Sequence, residues 1–325
     1  VSVRAQERVA AKREFRCMAV DVTIEIINAC SDSAALADRA ERVFRQVEES
    51  CTRFDPTSAL MLANAAGDDW CEVPEFCYRA LSEAAVAHRM TAGRFDPRVL
   101  CDLQTLGYDR SLPFGSGPVD LGPARGDSTR MMLRFRAPWS PSFDPARGAV
   151  RIGPLPVDLG GIGKGLAVRW AAEQIRGQAE AFLVEAGGDL VTGGPGPDGD
   201  GWRAGVEDPR GGAAPLAVLD VSDRGCATSS IRLRSWRVGG RTVHHILDPL
   251  TGEPGGEGLL SVTVVGPDPA AAEVWSKTLF LYGAEGIGHA AELREIAALW
   301  IDVDGRVVAS PAMRPYLLWQ VSDGS

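Results

Sequence analysis

The sequence predicts an α+β fold, with antiparallel or mixed sheets and packed helices. Three observations carry this. Strand-like segments follow one another in pairs with few helices between them. Only one strand, glycine turn and helix unit stands out, VRIGPLPVDLGGIGKGLAVRWAAEQIRG. The repeated β–α–β alternation of a doubly wound parallel sheet is missing, and no repeat of 20–50 residues is visible.

The elements follow in order. Residues 1–14 are polar and read as a disordered tail. CMAVDVTIEIIN, residues 17–28, alternates as a strand. Over 32–51, Leu36, Ala40, Val43 and Val47 recur at helical spacing. A helical turn is expected at 58–64, after the Pro56 loop, and Pro74 suits the start of a helix running to about His88. TAGRFDPRV is a punctuated loop, and 108–150 reads as irregular with one or two short strands. The glycine turn at 160–165 leads into a helix over about 163–176. AFLVEAGGDLVTGG, WRAGVED, LAVLDVS, SWRVGGRTVHHIL and LLSVTVVG read as strands and turns. Asp268 is positioned as the cap of a helix through AAAEVWSKTLFLYG, and a final hairpin turns at Asp304-Gly305.

Composition narrows the classes of function. The 325 residues are 45% hydrophobic and 24% charged, with a formal charge of −9. That is a globular balance, and its acidity argues against nucleic acid or an anionic membrane surface as a bulk partner. No apolar run approaches the roughly 18 residues of a membrane span, and the charged N-terminal segment has no apolar signal core, so the expected location is cytoplasmic. Seven scattered cysteines without a CxxC pair predict reduced, packing thiols. Lysine occurs only at 12, 164 and 277 among 34 cations. A compact ammonium retained against an arginine bias hints at sites where a planar fork would not fit.

Five segments could carry chemistry. In VDLGGIGKG, glycines 160, 161, 163 and 165 allow positive φ and close approach of a ligand to the backbone. The turn opens a helix whose N-terminus favours an anion, and Lys164 adds charge. The spacing fits neither a P-loop nor a Rossmann fingerprint, and a plain tight turn stays open. HHILDPLTG places two histidines before an Asx-type turn. Neighbours on a strand face opposite sides, so His245 is the candidate for the site and His244 the structural one. Glu273 and Lys277 lie four apart on one helical face, at least as an ion pair. RFDPTSALMLAN and TAGRFDP are turns in which Phe54 and Phe95 either stack on a flat ring or pack in the core. There is no G-x-S-x-G, HExxH or CxxC, so neither a serine triad nor a catalytic zinc is supported.

Taken in order, MAVDVTI, FDPTSALMLAN, TAGRFDP, VDLGGIGKG, EAGGDL, ATSS, HHILDPLTG, SVTVV and AEVWSKTLF resemble the ApbE family, the FAD:protein FMN transferases, over residues 17–283. The resemblance implies that 15–325 form a flavin transferase domain with FAD as substrate and usually Mg²⁺. It implies cleavage of the FAD pyrophosphate, release of AMP, and attachment of FMN through a phosphoester to a Thr or Ser of an acceptor protein. It leaves open an FAD pyrophosphatase and a non-catalytic FAD-binding module. By position it sets Met18, Phe54, Arg94, Phe95, Asp96, Asp158, Lys164, His245 and Ile246 against the flavin nucleotide, with His245 as candidate base. Gly161 falls where the family offers a carbonyl to magnesium. The family's magnesium segment D-A-x-A-T reads here E-V-W-S-K, and M-G-T reads Met18-Ala19-Val20. Glu273 thus replaces the aspartate and Lys277 the threonine, and an ammonium cannot ligate a cation. Either Lys277, held by Glu273, stands in for the metal, or Glu273 reaches a displaced magnesium with Lys277 turned away.

Overall fold

The computed structural model describes residues 10–30, 32–114, 119–122 and 137–321. The chain begins with a hairpin of β1 (Ala10–Cys17) and β2 (Val20–Ala29). Residues 10–14 therefore belong to a strand, although they were expected in the tail. Lys12 and Glu14 point to solvent, while Arg13, on the face of Phe15 and Cys17, pairs with Asp38 of the first helix, so the polarity belongs to an edge strand. Helix α1 (Ser33–Cys51) is capped by Asp32, whose carboxylate accepts from Ala34 N at 2.9 Å. Helix α2 (Ala59–Ala66) is capped in the same way by Ser58. After β3 (Cys71–Glu72), Pro74 immediately precedes α3 (Glu75–Met90). A short α4 (Leu100–Thr105) follows, directly after the TAGRFDPRV loop.

The middle of the chain supplies β4 (Val119–Asp120), β5 (Ser142–Asp144) and β6 (Ala149–Arg151). Helix α5 (Gly163–Glu173) then leads into the hairpin of β7 (Ala179–Ala186) and β8 (Asp189–Gly193). Next come β9 (Arg203–Val206), β10 (Ala217–Asp220), β11 (Gly225–Ser230), β12 (Ser235–Val238) and β13 (Arg241–His244). The chain continues with β14 (Leu259–Gly266), α6 (Pro269–Phe280), α7 (Gly283–Leu293), β15 (Ala297–Asp302), β16 (Val307–Ala309) and β17 (Leu317–Gln320). Asp268 caps α6 through Ala271 N at 2.8 Å.

Eight strands form the central sheet in the order β1-β2-β7-β8-β11-β14-β15-β16, with every neighbouring pair antiparallel. Helices α1, α5 and α6 pack on one face, burying Phe44, Leu166, Trp170 and Val274 against Ile24 and Val184. The opposite face is covered by the small sheet β17-β10-β9 and the 3-10 turn before β17, through Leu219 and Met313 against Ala181 and Leu299. This is a sheet with helices on one side and strands on the other, the expected α+β class.

Two local features shape the site. The β1–β2 turn consists of Met18 and Ala19 alone, at φ +54° and +59°. That is the primed turn usually given to Asn-Gly. Residues with a Cβ there cost about 1–2 kcal/mol each. Glu48 of α1 holds the turn by accepting from Met18 N at 2.6 Å and the Cys17 thiol at 3.1 Å. At the start of α5, a Cβ on Gly165 would lie 2.6 Å from Ala270 Cα. Only glycine lets α5 and α6 approach so closely.

Candidate functional site at the junction of two cavities

The β1–β2 turn, the ends of α1 and α6, the loop after α3 and the start of α5 enclose a cavity of about 560 Å³. Met18, Phe54, Arg94, Phe95, Asp96 and Asp158 line one part of it. Gly161, Lys164, His245, Ile246 and Lys277 line another. The folding of the chain thus gathers these positions around one space. A second cavity of about 920 Å³ adjoins it and shares Lys164, Arg234, His245 and Lys277. The wall between them is the chemical focus.

The outer wall of the first cavity rests on Arg53, which sequence reasoning did not single out. Its Nε lies 2.8 Å from Asp158 Oδ2, with both side chains nearly buried. The guanidinium lies in the notch formed by the touching rings of Phe54 and Tyr108, at 4.2 and 4.3 Å from their centroids, and donates to the Tyr108 carbonyl at 2.6 Å. Its Nη2 has no partner. The carboxylates are internally committed. Asp158 also accepts from Gly160 N at 2.7 Å. Asp96 is held by Arg98 in a fork with a closest contact of 2.6 Å. Burial alone would raise the Asp96 carboxyl, but the Arg98 hydrogen bonds hold it below its ordinary value. Phe54 is 41% exposed at the mouth, free to stack. Phe95 is 6% exposed and packs as core against Gly161, where a Cβ would meet its ring at 2.8 Å. Arg94 ties the loop after α3 to Asp248 at 3.3 Å and to the Leu281 carbonyl.

The shared wall is a chain of buried charges. Glu273 is 0% exposed. Its Oε1 accepts from Lys164 Nζ at 3.1 Å and Lys277 Nζ at 2.9 Å, and its Oε2 from Gly165 N at 2.8 Å. Lys164 also donates to Asp189, which accepts from Thr228 N at 3.3 Å. Burial would raise the Glu273 carboxyl, but the two ammonium groups and the amide pull it down to about 2. Burial lowers Lys277 despite Glu273, whereas Asp189 and Glu273 together overcome burial and raise Lys164.

Two expectations about the glycine turn are corrected here. None of Gly160, Gly161, Gly163 and Gly165 has positive φ. Gly161 and Gly165 serve close packing instead. The anion at the α5 N-terminus is the protein's own Glu273 carboxylate, which occupies the Gly165 N–H.

His245 and His244 face different surroundings, with β13 ending at His244 and His245 in the bend that follows. His245 lines both cavities, while His244 lines neither. His245 Nδ1–H donates to the Arg234 carbonyl at 3.3 Å, which leaves Nε2 as the acceptor. Burial first, then the charges of Arg234 and Lys277, push its pKa well below the ordinary value, so the ring is neutral at pH 7. His244 accepts from Ile246 N at 3.3 Å and meets Phe280 edge-on at 6.0 Å between ring centroids. Burial lowers it to about 4.

Magnesium does not fit these donors. It needs hard oxygen ligands in near-octahedral geometry. Both oxygens of Glu273 are already taken by ammonium and amide donors, and Lys277 turns toward Glu273, not away. The Thr278 hydroxyl lines the first cavity without a partner. It lies five positions beyond Glu273, about 140° around the helix, and shares no face with it. Among the described residues, no group of three His, Cys, Asp or Glu side chains could hold a metal ion. The contacts of Glu273 argue against it as a magnesium ligand, whereas Gly161 lines the cavity.

An antiparallel sheet backed by helices carries a cavity with an aromatic side chain at its mouth and cations on its inner wall. Residues 18–300 match the ApbE family, and the chain belongs to that family. The FAD:protein FMN transferase of Klebsiella pneumoniae (strain 342) is 30% identical over 50% of this chain and 48% of its own. The chain thus spans about half the length of that relative. The transferases of Chlamydia pneumoniae and Treponema pallidum (strain Nichols) are 28% and 29% identical, covering 78% and 83% of this chain and 78% of each of theirs. The fold matches the Pseudomonas stutzeri flavinyl transferase ApbE in its apo form, with TM-score 0.81, 21% identity, and coverage of 98% of this chain and 100% of that one. It also matches the Thermotoga maritima ApbE protein, with TM-score 0.77, 24% identity, and coverage of 95% and 99%. Among the described residues, no helix is long and apolar enough to cross a membrane.

Proposed function

We propose that this protein is an FAD:protein FMN transferase. The observation that carries the reading is the shared wall. A neutral imidazole, His245, and three cations, Lys164, Lys277 and Arg234, all border both cavities. FAD occupies the first cavity. Its flat ring system lies toward Met18 and Phe54, and its pyrophosphate against Lys164 and Lys277. Arg94, Phe95, Asp96, Asp158 and Ile246 shape the walls, with the two carboxylates positioning Arg98 and Arg53. The acceptor protein presents a Thr or Ser hydroxyl through the second cavity.

The chemistry follows from this placement. His245 Nε2 takes the hydroxyl proton as general base. The hydroxyl oxygen forms a bond to the phosphorus on the FMN side, and the phosphoanhydride bond to the AMP phosphate breaks. The electron pair leaves on AMP, and the product is a phosphoester between FMN and the acceptor. The cations neutralise charge that grows on the phosphate oxygens. No step is routed through magnesium, because the donor set does not fit it. The seven cysteines, none in a disulfide, agree with a cytoplasmic location.

The test is AMP release from FAD by the purified protein, with and without a Thr-containing acceptor, followed by intact-mass analysis of the acceptor. AMP that requires the acceptor, with a mass gain equal to FMN less water, supports transfer. AMP without acceptor would make the protein a pyrophosphatase. FAD binding with no AMP under any condition would make it a flavin-binding module.

A further inference from the structure

The buried charges at the shared wall do not cancel. Lys164 and Lys277 are matched by Asp189 and Glu273. Arg234 is different. Among the described residues no carboxylate or carbonyl accepts from its guanidinium, yet it lines both cavities and its charge bears on Lys164 and His245. Its backbone carbonyl fixes the His245 ring, so the residue is anchored at the wall.

An ammonium has three N–H groups and a guanidinium five. Lys277 spends one on Glu273, and Lys164 spends two, on Asp189 and Glu273. Arg234 spends none from its side chain. The wall therefore keeps two donors on Lys277, one on Lys164 and a whole guanidinium for a ligand rich in acceptor oxygens. Glu273 cannot swing away to serve a metal, because its second oxygen is pinned by Gly165 N. A divalent ion brought here would face two ammonium groups and displace one of them.

Resting on the reading that the FAD pyrophosphate lies at this wall, we infer that the chain cleaves it without a divalent cation, with Lys277 and Arg234 together supplying the two positive charges such an ion would bring. Lys277, braced by Glu273, touches the phosphate oxygens from the α6 side. Arg234 grips them from the opposite strand connection, where its planar fork can take two oxygens at once. The acceptor oxygen bonds to phosphorus, the anhydride bond breaks toward AMP, and His245 keeps the proton. No metal-bound species enters that balance.

The deciding experiment has two arms on the full chain. The first titrates Mn²⁺ into the protein, with and without FAD, and reads free Mn²⁺ by electron paramagnetic resonance. The second measures AMP release in EDTA and in millimolar MgCl₂, with the Thr-containing acceptor present in both. The expected result is an undiminished free-Mn²⁺ signal and equal AMP release in both buffers. Arg234→Ala is expected to lower AMP release about 100-fold, the usual scale for one lost transition-state donor. Lys277→Thr is expected to lower release in EDTA similarly, to gain Mn²⁺ binding, and to recover release with MgCl₂. Stoichiometric Mn²⁺ binding by the wild-type protein, or loss of its AMP release in EDTA, overturns the inference whether or not Lys277→Thr folds. If FAD binds and no AMP forms in any buffer, the transferase reading fails, and the Mn²⁺ arm still decides whether a metal is held.

Discussion

Arg53 and Asp158 form a buried ion pair, 2.8 Å apart, with the Arg53 guanidinium against the rings of Phe54 and Tyr108. One comes from the loop after α1 and the other from the turn before α5, so the pair joins opposite walls of the first cavity. Removing one partner strands the other charge, which typically costs about 3–5 kcal/mol. Arg53→Met is therefore expected to lower stability by about that amount, read as the urea midpoint. Asp158→Asn, which keeps the Gly160 contact and leaves the cation its stacking rings, is expected to lose less.

The Met18–Ala19 turn holds two non-glycine residues at positive φ. Ala19→Gly removes one strained Cβ and is expected to stabilise the protein by about 0.5–1 kcal/mol, after glycine's extra unfolded-state entropy is counted. Thermal melts check this. A lower melting temperature would mean that the turn is relaxed with alanine in place.

His244 gives a pH dependence with a definite sign. Its folded pKa is lowered to about 4 from an ordinary 6.5. Below pH 6.5 the unfolded chain takes up a proton that the folded chain refuses until about pH 4. Stability from this residue is intact above pH 6.5 and falls as pH drops toward 4, by about 3 kcal/mol in full. His244→Phe is expected to flatten this part of the curve. Chemical denaturation at a series of pH values, for both proteins, reads the difference.

His245→Gln keeps a polar side chain at the wall but removes the base. AMP release is expected to fall by about 10²–10⁴-fold, with FAD affinity changed little. A parallel loss of FAD binding would assign His245 to holding the nucleotide and not to proton transfer.

Gly165→Ala places a methyl 2.6 Å from the Ala270 backbone. Overpacking of this kind typically costs about 1–3 kcal/mol. Calorimetry is expected to show that loss, together with weaker FAD binding, because the start of α5 carries Lys164.

Much of the fold is legible in local chemistry. Asp32, Ser58 and Asp268 announce their helices because capping is a contact of two or three residues. The Asp304-Gly305 turn is readable for the same reason. Strand β1 is hidden because Lys12 and Glu14 face solvent at a sheet edge, and its turn lacks the Asn-Gly signal. Strand β11 is hidden because GCATSS has few β-formers, yet it sits in mid-sheet between β8 and β14. Helix α7 carries three glycines that weaken its signal. In the site, motif positions come together as the resemblance implies, but Arg53 and Arg234 lie among many arginines with no spacing to mark them. Their roles follow from partners distant in the chain, or from the lack of one.

The carboxylate of Glu273 answers to two masters. One oxygen ends α5 by satisfying a backbone amide, and the other anchors both lysines at the wall. Variation that leaves the protein foldable but idle can discard Arg234 at little cost, since its guanidinium completes neither a helix nor an ion pair among the described residues. It cannot as readily discard Glu273. A descendant that had lost its chemistry would still carry this glutamate, so its presence alone is a poor sign of activity, whereas Arg234 is an informative one.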